Sequence, residues 1–321
     1  VLSGCVQQFG EQAFNIARNA WLQEGLPLET SATTLDLQCG SAQQAVGLGA
    51  ALVASGVHDV VIGSGVEHMG HIPFSAGMET QTTYGGAFTP KLMQQYNIVG
   101  QGLGAEMIAD EWEIPRSELD ELAVRSHALA HKATEDGLFE REIVPFQVNG
   151  DTYVTDQGIR PGTTLETLSA LNPAFKPDGK ITAGNASQIS DGAAAVLLMT
   201  PEKAAELGLT PRARIVDQTS VGCDPVKMLE GPIPATAKIL GESKATVSRR
   251  LSRLEAAPEA RIAVLQRVLE TAHAAADVTK IGYVGDKRFL KLLAGFSGTH
   301  GTGTPLSAVA ILGRPHHAPV A

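Results

Sequence analysis

The chain reads as an α/β protein, and three consecutive segments near its start carry that reading. Residues 31–37 form a β-branched run, residues 42–55 an apolar helical stretch, and residues 59–63 a second short β-branched run that ends in glycine. Strand, buried helix and strand in that order make a βαβ unit, the connection that parallel strands need. The helical stretch is apolar nearly all round (Ala42, Ala45, Val46, Leu48, Ala50, Ala51, Leu52, Val53), which predicts a helix buried within its domain. Upstream of the unit, residues 11–24 show a helical pattern that Gly25-Leu26-Pro27 closes.

From about residue 77 to 184 the text changes. It turns Gly/Thr/Tyr-rich, then helical, then loop-like, as an insertion carried on a core would. Pro115 and Ser117 open a charged amphipathic helix over 118–135, which Asp136-Gly137 ends, and residues 156–162 are dense in turn formers. The core pattern returns at residues 190–199 and again at Arg214-Ile215-Val216, the latter opening a second α/β half. Beyond Gly241 come helical patterns at 243–254 and 258–275, a strand-like Ile281-Gly282-Tyr283-Val284, and a glycine-dense loop over 298–305 centred on His300. The expected organisation is therefore a first half over 1–76 and 185–210, an insertion over 77–184, and a second half over 211–321 that diverges after 240.

Composition bounds the function. The 321 residues suffice for about two domains, and 43% are apolar. No apolar run reaches the roughly 18–20 residues of a membrane span; the longest candidate, 42–61, is broken by glycines, His58 and Asp59. A formal charge of −9 argues against a broad nucleic-acid footprint. The three cysteines, Cys5, Cys39 and Cys223, read as free thiols of a reducing, cytoplasmic compartment. The chain opens on an apolar Val1-Leu2-Ser3-Gly4 with no charged leader, so the start is expected to cut through a folded unit, and 314–319 is expected to be a loose tail.

Cys39 is the residue that points to chemistry. It stands between the strand and the helix and is followed by Gly40-Ser41. Unpaired N–H groups and the dipole at a helix start favour a thiolate, which predicts a lowered pKa. The same groups can donate to an oxyanion, and Gly40 clears the approach of a substrate. That is the layout of a covalent acyl-transfer nucleophile. The alternative is a small core hydrophobe, a frequent fate of free cysteine.

The stretch Leu37-Gln38-Cys39-Gly40-Ser41-Ala42-Gln43-Gln44-Ala45-Val46 resembles the acylatable-cysteine motif of the thiolases. The likeness continues through residues 54–67, through Gly184-Asn185-Ala186-Ser187-Gln188-Ile189-Ser190-Asp191-Gly192-Ala193, and through Gly231-Pro232-Ile233-Pro234-Ala235. Four stretches in family order cover about residues 1–240. The resemblance implies two similar α/β halves with an inserted loop domain that grips coenzyme A. It implies an acyl-CoA C-acyltransferase in which Cys39 carries the acyl group, either in thiolysis of a 3-ketoacyl-CoA or in the reverse Claisen condensation. By matching motifs, Arg160 lies near the CoA nucleotide, Thr167 occupies a CoA contact usually filled by Ser, and Ala183, Gly184 and Ser187 line the pantetheine channel. On turn composition alone the alternative for Arg160 is a loop-stabilising arginine. The resemblance further implies acyl-CoA and CoA as partners, no permanently bound cofactor, and a homodimer or homotetramer.

The likeness stops after Leu240. The family's Asn-Glu-Ala-Phe and Gly-His-Pro stretches and its second cysteine are absent as written; Val284-Gly285-Asp286-Lys287 stands where Asn-Glu is expected, and no Cys follows His300. The opening strand-helix-strand of the first half is also missing by this comparison, and Gln101 replaces the usual Met near the thioester. His300-Gly301-Thr302-Gly303-Thr304-Pro305 is similar to the catalytic-histidine motif of ketosynthases, making His300 a candidate base beside Cys39 or else a loop histidine. The alternative function is a non-catalytic thiolase-fold fragment or binding subunit. A third, DNA binding, rests on a helix-turn-helix-like segment at 240–255 with Arg249 and Arg250. His127 and His131, spaced i, i+4, have zinc-ligand spacing, but no further ligand completes a set and a helix face explains them.

Overall fold

The computed structural model describes residues 1–74 and 76–241, together with the backbone of 306–313. In chain order the elements are β1 (Leu2–Gly4), α1 (Ile16–Gln23), β2 (Thr33–Leu35), α2 (Ser41–Ala54), β3 (Val60–His68), the short α3 (Ala76–Glu79) and α4 (Gln81–Tyr84), and α5 (Pro90–Tyr96). There follow α6 (Gln101–Glu111), α7 (Arg116–Glu135), β4 (Phe146–Val148), β5 (Asp151–Tyr153), α8 (Leu165–Ser169), β6 (Asp191–Met199), α9 (Pro201–Glu206), β7 (Ala213–Val221), α10 (Pro232–Leu240) and β8 (Leu306–Gly313). The described residues fall into two compact units. One holds Val1–Ile98 with 191–241 and 306–313; the other is Val99–Ser190.

In the first unit a four-stranded sheet has the order β2-β1-β3-β6. β1 is parallel to both β2 and β3, with Gly4 opposite Leu35 on one side and Gly65 on the other. The expected βαβ unit is thus present, β2 and β3 lying on either side of β1 with α2 as their crossover. β3 and β6 pair antiparallel over nine residues, from Val60 opposite Met199 to His68 opposite Asp191. β7 pairs antiparallel with β8, shifting register between Ile215 and Asp217.

α2 turns one stripe inward: Ser41, Ala45, Gly49 and Val53, each four residues apart, are buried. The spacing is that of one helix face. Val53 meets Val61 and Leu198 in the core, with Leu2, Val46, Leu52 and Ile215 packed around them. Gly49 and Gly63 let α2 and β3 close up, since a Cβ at Gly63 would press on the Val46 backbone and one at Gly49 on Val61.

Two expectations need correction. The all-round apolar helix at 42–55 is not buried all round: Leu48 is exposed, because the sheet covers only one face. The pattern at 11–24 is not one helix, because Phe14 and Asn15 both take left-handed backbone conformations and α1 starts only at Ile16. Asn15 spends its side chain on β2, donating to the Ala32 carbonyl at 2.8 Å and accepting from Thr34 Oγ1 at 3.2 Å. The apolar run 190–199 does return to the sheet, as its edge strand β6. Along β6 only Leu198 is buried, and Leu197 is 52% exposed.

The second unit is built on α6, α7 and α8. Phe175 lies flat enough against α6 that any side chain at Gly102 would overlap its ring. Its interior is unusually polar, with Glu106 1% and Asp120 2% exposed. Glu106 accepts from the Lys180 and Ile181 amides, each at 2.8 Å. Burial of such a group requires this satisfaction of its oxygens. Asp110, at the exposed end of α6, holds Lys176 at 2.7 Å and Lys180 at 3.0 Å.

Candidate active site

Cys39 sits in the turn Asp36–Gly40, between the end of β2 and the start of α2. Asp36 begins the turn by accepting from the Gln38 amide at 2.7 Å. Gln38 is left-handed, with φ of 52°, a conformation that costs a residue with a Cβ and that the surrounding bonds must hold. They do so from both sides. The Gly40 and Ser41 amides donate to the Leu37 and Gln38 carbonyls at 3.1 and 2.9 Å. Ser41 Oγ, buried, accepts from the Leu37 amide at 2.8 Å and donates to the Gln38 carbonyl. The serine of the Cys-Gly-Ser motif is therefore the pin of the turn, and Gly40 is the N-cap, with no side chain of its own in the way.

Beneath the turn the chain is packed to contact. A Cβ on Gly4 would overlap the Ala42 amide nitrogen, and one on Gly65 would overlap the Ala42 Cβ. The C-terminal ends of β1 and β3 thus seat the first turn of α2, and with it Cys39.

Residue 39 is exposed at the surface, so the core-hydrophobe alternative does not hold. Its chemistry nevertheless departs from expectation. The thiol is pushed up to about 11, first by the desolvation it feels in the turn, with the Asp36 and Glu67 carboxylates adding to the rise. A hydrogen bond from its own backbone opposes the shift without overcoming it. The predicted lowering by the helix start is corrected: two negative charges and desolvation outweigh the favourable end of α2. At pH 7 on the order of one molecule in ten thousand carries the thiolate at such a pKa, so nucleophilic attack needs a base to take the proton.

Glu67 joins the site from β3. It ends β3 and accepts from the Val6 amide, reaching the loop that follows β1. Gln12, buried, braces the same region by donating to the Gln7 carbonyl at 2.7 Å and accepting from the His68 amide at 2.6 Å. Burial holds the Glu67 carboxyl above its usual range. Cys5, buried beside it, is pushed up to about 12 by burial first and by Glu67 second. Cys223 is half-buried and its thiol donates to the Met228 carbonyl at 3.5 Å.

The five residues expected at coenzyme A all fall in the second unit. Arg160 has an exposed side chain on a latched loop: its amide donates to His127 Nδ1 on α7 at 3.2 Å, and Gln188 donates to the Gly158 carbonyl at 2.6 Å. Desolvation, and then the Arg160 charge, holds His127 below its ordinary pKa, keeping the ring neutral and able to accept. His131 instead faces Glu135 at 3.4 Å. Thr167 closes a capping box at the start of α8, accepting from the Thr164 amide at 3.1 Å. Gly184 packs on the same helix, since a Cβ there would overlap Leu168 and Leu171. Ala183 and Ser187 are exposed on either side of it. Thr167, Gly184 and their neighbours are thus joined through Leu168, and the Arg160 loop is joined to them through Gln188. Cys39 belongs to the other unit. His300, the segment 242–255 and Val284-Gly285-Asp286-Lys287 lie outside the described residues.

A mixed sheet, parallel across β2-β1-β3, crossed by α2 and with an exposed, serine-pinned Cys-Gly turn fits the thiolase N-terminal fold. The family description "Thiolase, N-terminal domain" matches residues 1–202. The 3-ketoacyl-CoA thiolase of Vibrio vulnificus (strain CMCP6) is 45% identical over 245 residues, 74% of this chain and 61% of that protein. That of Marinobacter nauticus (strain ATCC 700491 / DSM 11845 / VT8) is 43% identical over 246 residues, covering 75% and 61%. That of Enterobacter sp. (strain 638) is 45% identical over 253 residues, covering 76% and 63%. The chain belongs to the thiolase family. The matched region spans about three-fifths of these relatives' length. Among the described residues, no helix is long and apolar enough to cross a membrane.

Proposed function

We propose that this chain is an acyl-CoA C-acyltransferase that carries its acyl group on Cys39. The observation that supports this most directly is the exposed Cys39 thiol in a rigid turn at the start of α2, within the family's cysteine motif. In the thiolytic direction the Cys39 thiolate attacks the 3-keto carbon of a 3-ketoacyl-CoA. The bond between C2 and C3 breaks, acetyl-CoA leaves after its C2 carbanion takes a proton, and the acyl group stays on sulfur. A second CoA thiol then displaces the acyl group and returns the proton to the site. The raised thiol pKa assigns a base to the first step, and His300 is our candidate.

The unit Val99–Ser190 is read as the CoA-binding loop domain, with Arg160 facing the nucleotide phosphates, Thr167 at the next contact, and Ala183, Gly184 and Ser187 along the pantetheine arm. An acidic protein needs local positive charge to hold a polyanion, and the exposed Arg160 guanidinium supplies it. This reading places the chain in fatty-acid β-oxidation, in the cytoplasm, as a homodimer or homotetramer without a resident cofactor. A second reading, a thiolase-fold chain that binds acyl-CoA without turnover, draws support from the desolvation, and after it the carboxylates, that hold the Cys39 thiol protonated.

One experiment separates the two. The chain is incubated with acetoacetyl-CoA and CoA, thioester loss is followed, and the Cys39 peptide is analysed by mass spectrometry. Turnover with acetylated Cys39 supports the enzyme. Acylation or binding without turnover supports the second reading, and neither signal removes both. Cys39→Ala must abolish the label, and a label that persists moves the nucleophile elsewhere.

A further inference from the structure

The second unit contains a hydrogen-bonded network of three side chains that the reaction itself does not use. Arg116, on the first turn of α7, sets its Nε against both carboxylate oxygens of Asp120, at 2.9 and 2.8 Å. Asp120, buried, also accepts from Asn185 Nδ2 at 2.8 Å. The same amide nitrogen donates to the Lys180 carbonyl at 3.0 Å, while Asn185 Oδ1 accepts from the Thr182 amide at 2.8 Å. Within the turn so closed, the Gly184 amide donates to Thr182 Oγ1 at 3.2 Å, and the Asn185 and Ala186 amides donate to the Thr182 carbonyl. Thr182 faces inward and is fully buried, whereas Ala183 and Ser187 face solvent.

The other end of Arg116 reaches α8. Its terminal nitrogen donates to the Leu168 carbonyl at 2.6 Å and to the Leu171 carbonyl at 3.3 Å. A single guanidinium therefore ties the helix that carries Thr167 to the turn that carries Ala183, Gly184 and Ser187. A buried carboxylate whose two oxygens share one arginine Nε is stiff, because neither partner can leave without stranding the other. The asparagine is specific as well. It must offer donors to Asp120 and Lys180 and an acceptor to Thr182, which an aspartate at the position cannot do.

We propose that Asn185, held by Asp120 and Arg116, is the positioning residue that sets the 182–187 turn against α8 so that both meet one CoA molecule. The proposal rests on the CoA-binding reading of this unit. Asn185 touches no substrate; it acts through the backbone of the turn, and the geometry of the pantetheine contacts depends on it while the nucleotide contact at Arg160 does not.

The test uses the full chain, calorimetric titration, and two probes: coenzyme A, which has a pantetheine arm, and adenosine 3′,5′-bisphosphate, which lacks one. Asn185→Ala should weaken coenzyme A by about tenfold, the scale of one well-placed hydrogen bond, and leave the bisphosphate within about twofold. Arg116→Lys, which keeps the charge but loses the simultaneous reach to Asp120 and to α8, should repeat that pattern, weakening coenzyme A and sparing the bisphosphate, and keeps the test open if Asn185→Ala does not fold. Equal loss of both probes would reduce the network to holding the unit folded and overturn the proposal, as would unchanged coenzyme A binding. A wild-type chain that binds neither probe defeats the CoA-binding reading itself, an outcome distinct from any pattern among the variants.

Discussion

Gly4 and Ala42 touch backbone to backbone, so that a single carbon added at residue 4 would occupy the space of the Ala42 amide nitrogen. Nothing flexible lies there to give way. Gly4→Ala should therefore lift the first turn of α2 off β1. Overpacking of this kind costs about 1–3 kcal/mol, measurable by urea denaturation. The displaced turn should also change the rate at which iodoacetamide labels Cys39, and a variant with wild-type stability and labelling would contradict the packing described.

The Cys39 thiol, at about 11, should alkylate slowly at neutral pH, with the rate rising roughly tenfold per pH unit up to the midpoint. Asp36→Asn removes a carboxylate that opposes the thiolate, so the midpoint should fall. A midpoint near or below 8 in the wild type would show that an activating group, absent from the described surroundings, already acts on the sulfur.

Alkaline stability follows from the same groups. Cys5 and Cys39 stand at about 12 and 11 when folded, against an ordinary value of 9.0. The folded state holds these protons more tightly than the unfolded chain, so unfolding releases them and stability falls with rising pH. Their contribution is intact below about pH 9 and is lost as pH rises through 11 and 12. Denaturation midpoints measured from pH 8 to 11 should decline more steeply in the wild type than in Cys5→Ala. Parallel slopes would remove Cys5 as a cause.

Leu198→Ala empties the contact among Val53, Val61 and Leu198. It should cost about 2–5 kcal/mol. A loss below 1 kcal/mol would mean that this cluster is not the main apolar support of the sheet.

Glu106→Ala strands the Lys180 and Ile181 amides inside the second unit. Two charge-assisted bonds disappear, and about 3 kcal/mol or more should go with them. Hydrogen exchange at those two amides should accelerate, and protection that survives would show that water or another group takes over the carboxylate's place.

Local signals in the sequence were enough for the βαβ unit. The β-branched run before Cys39, the helical stretch after it and the short run from Asp59 each became the expected element, because their periodicities are set within a few residues. Exposure was not legible in the same way. The apolar letters of β6 suggested a core strand, yet which strands gain a covered face is decided by topology. Phe14 and Asn15 likewise fit a helical pattern, and only the distant bonds of Asn15 to Ala32 and Thr34 explain the break. At the site, the position of Cys39 was readable from its neighbours, but the direction of its pKa was not. That direction is set first by desolvation in the folded turn, with Asp36 and then Glu67, which the chain brings in from another strand, adding to it. The Arg116–Asp120 pair could have been found from its i, i+4 spacing; its partner Asn185 lies 65 residues further on.

The pairing of β3 with β6 has a consequence for synthesis. The Gly70 amide binds Asp191, 121 positions further along the chain, and the whole second unit lies between them. At ribosomal speeds of about 5–20 residues per second, on the order of ten seconds separates the appearance of the two strands. During that interval β3 has β1 as its one sheet neighbour and an uncovered row of amides and carbonyls on the other side. The sheet on which the cysteine turn rests can therefore close only after the whole second unit has been synthesised.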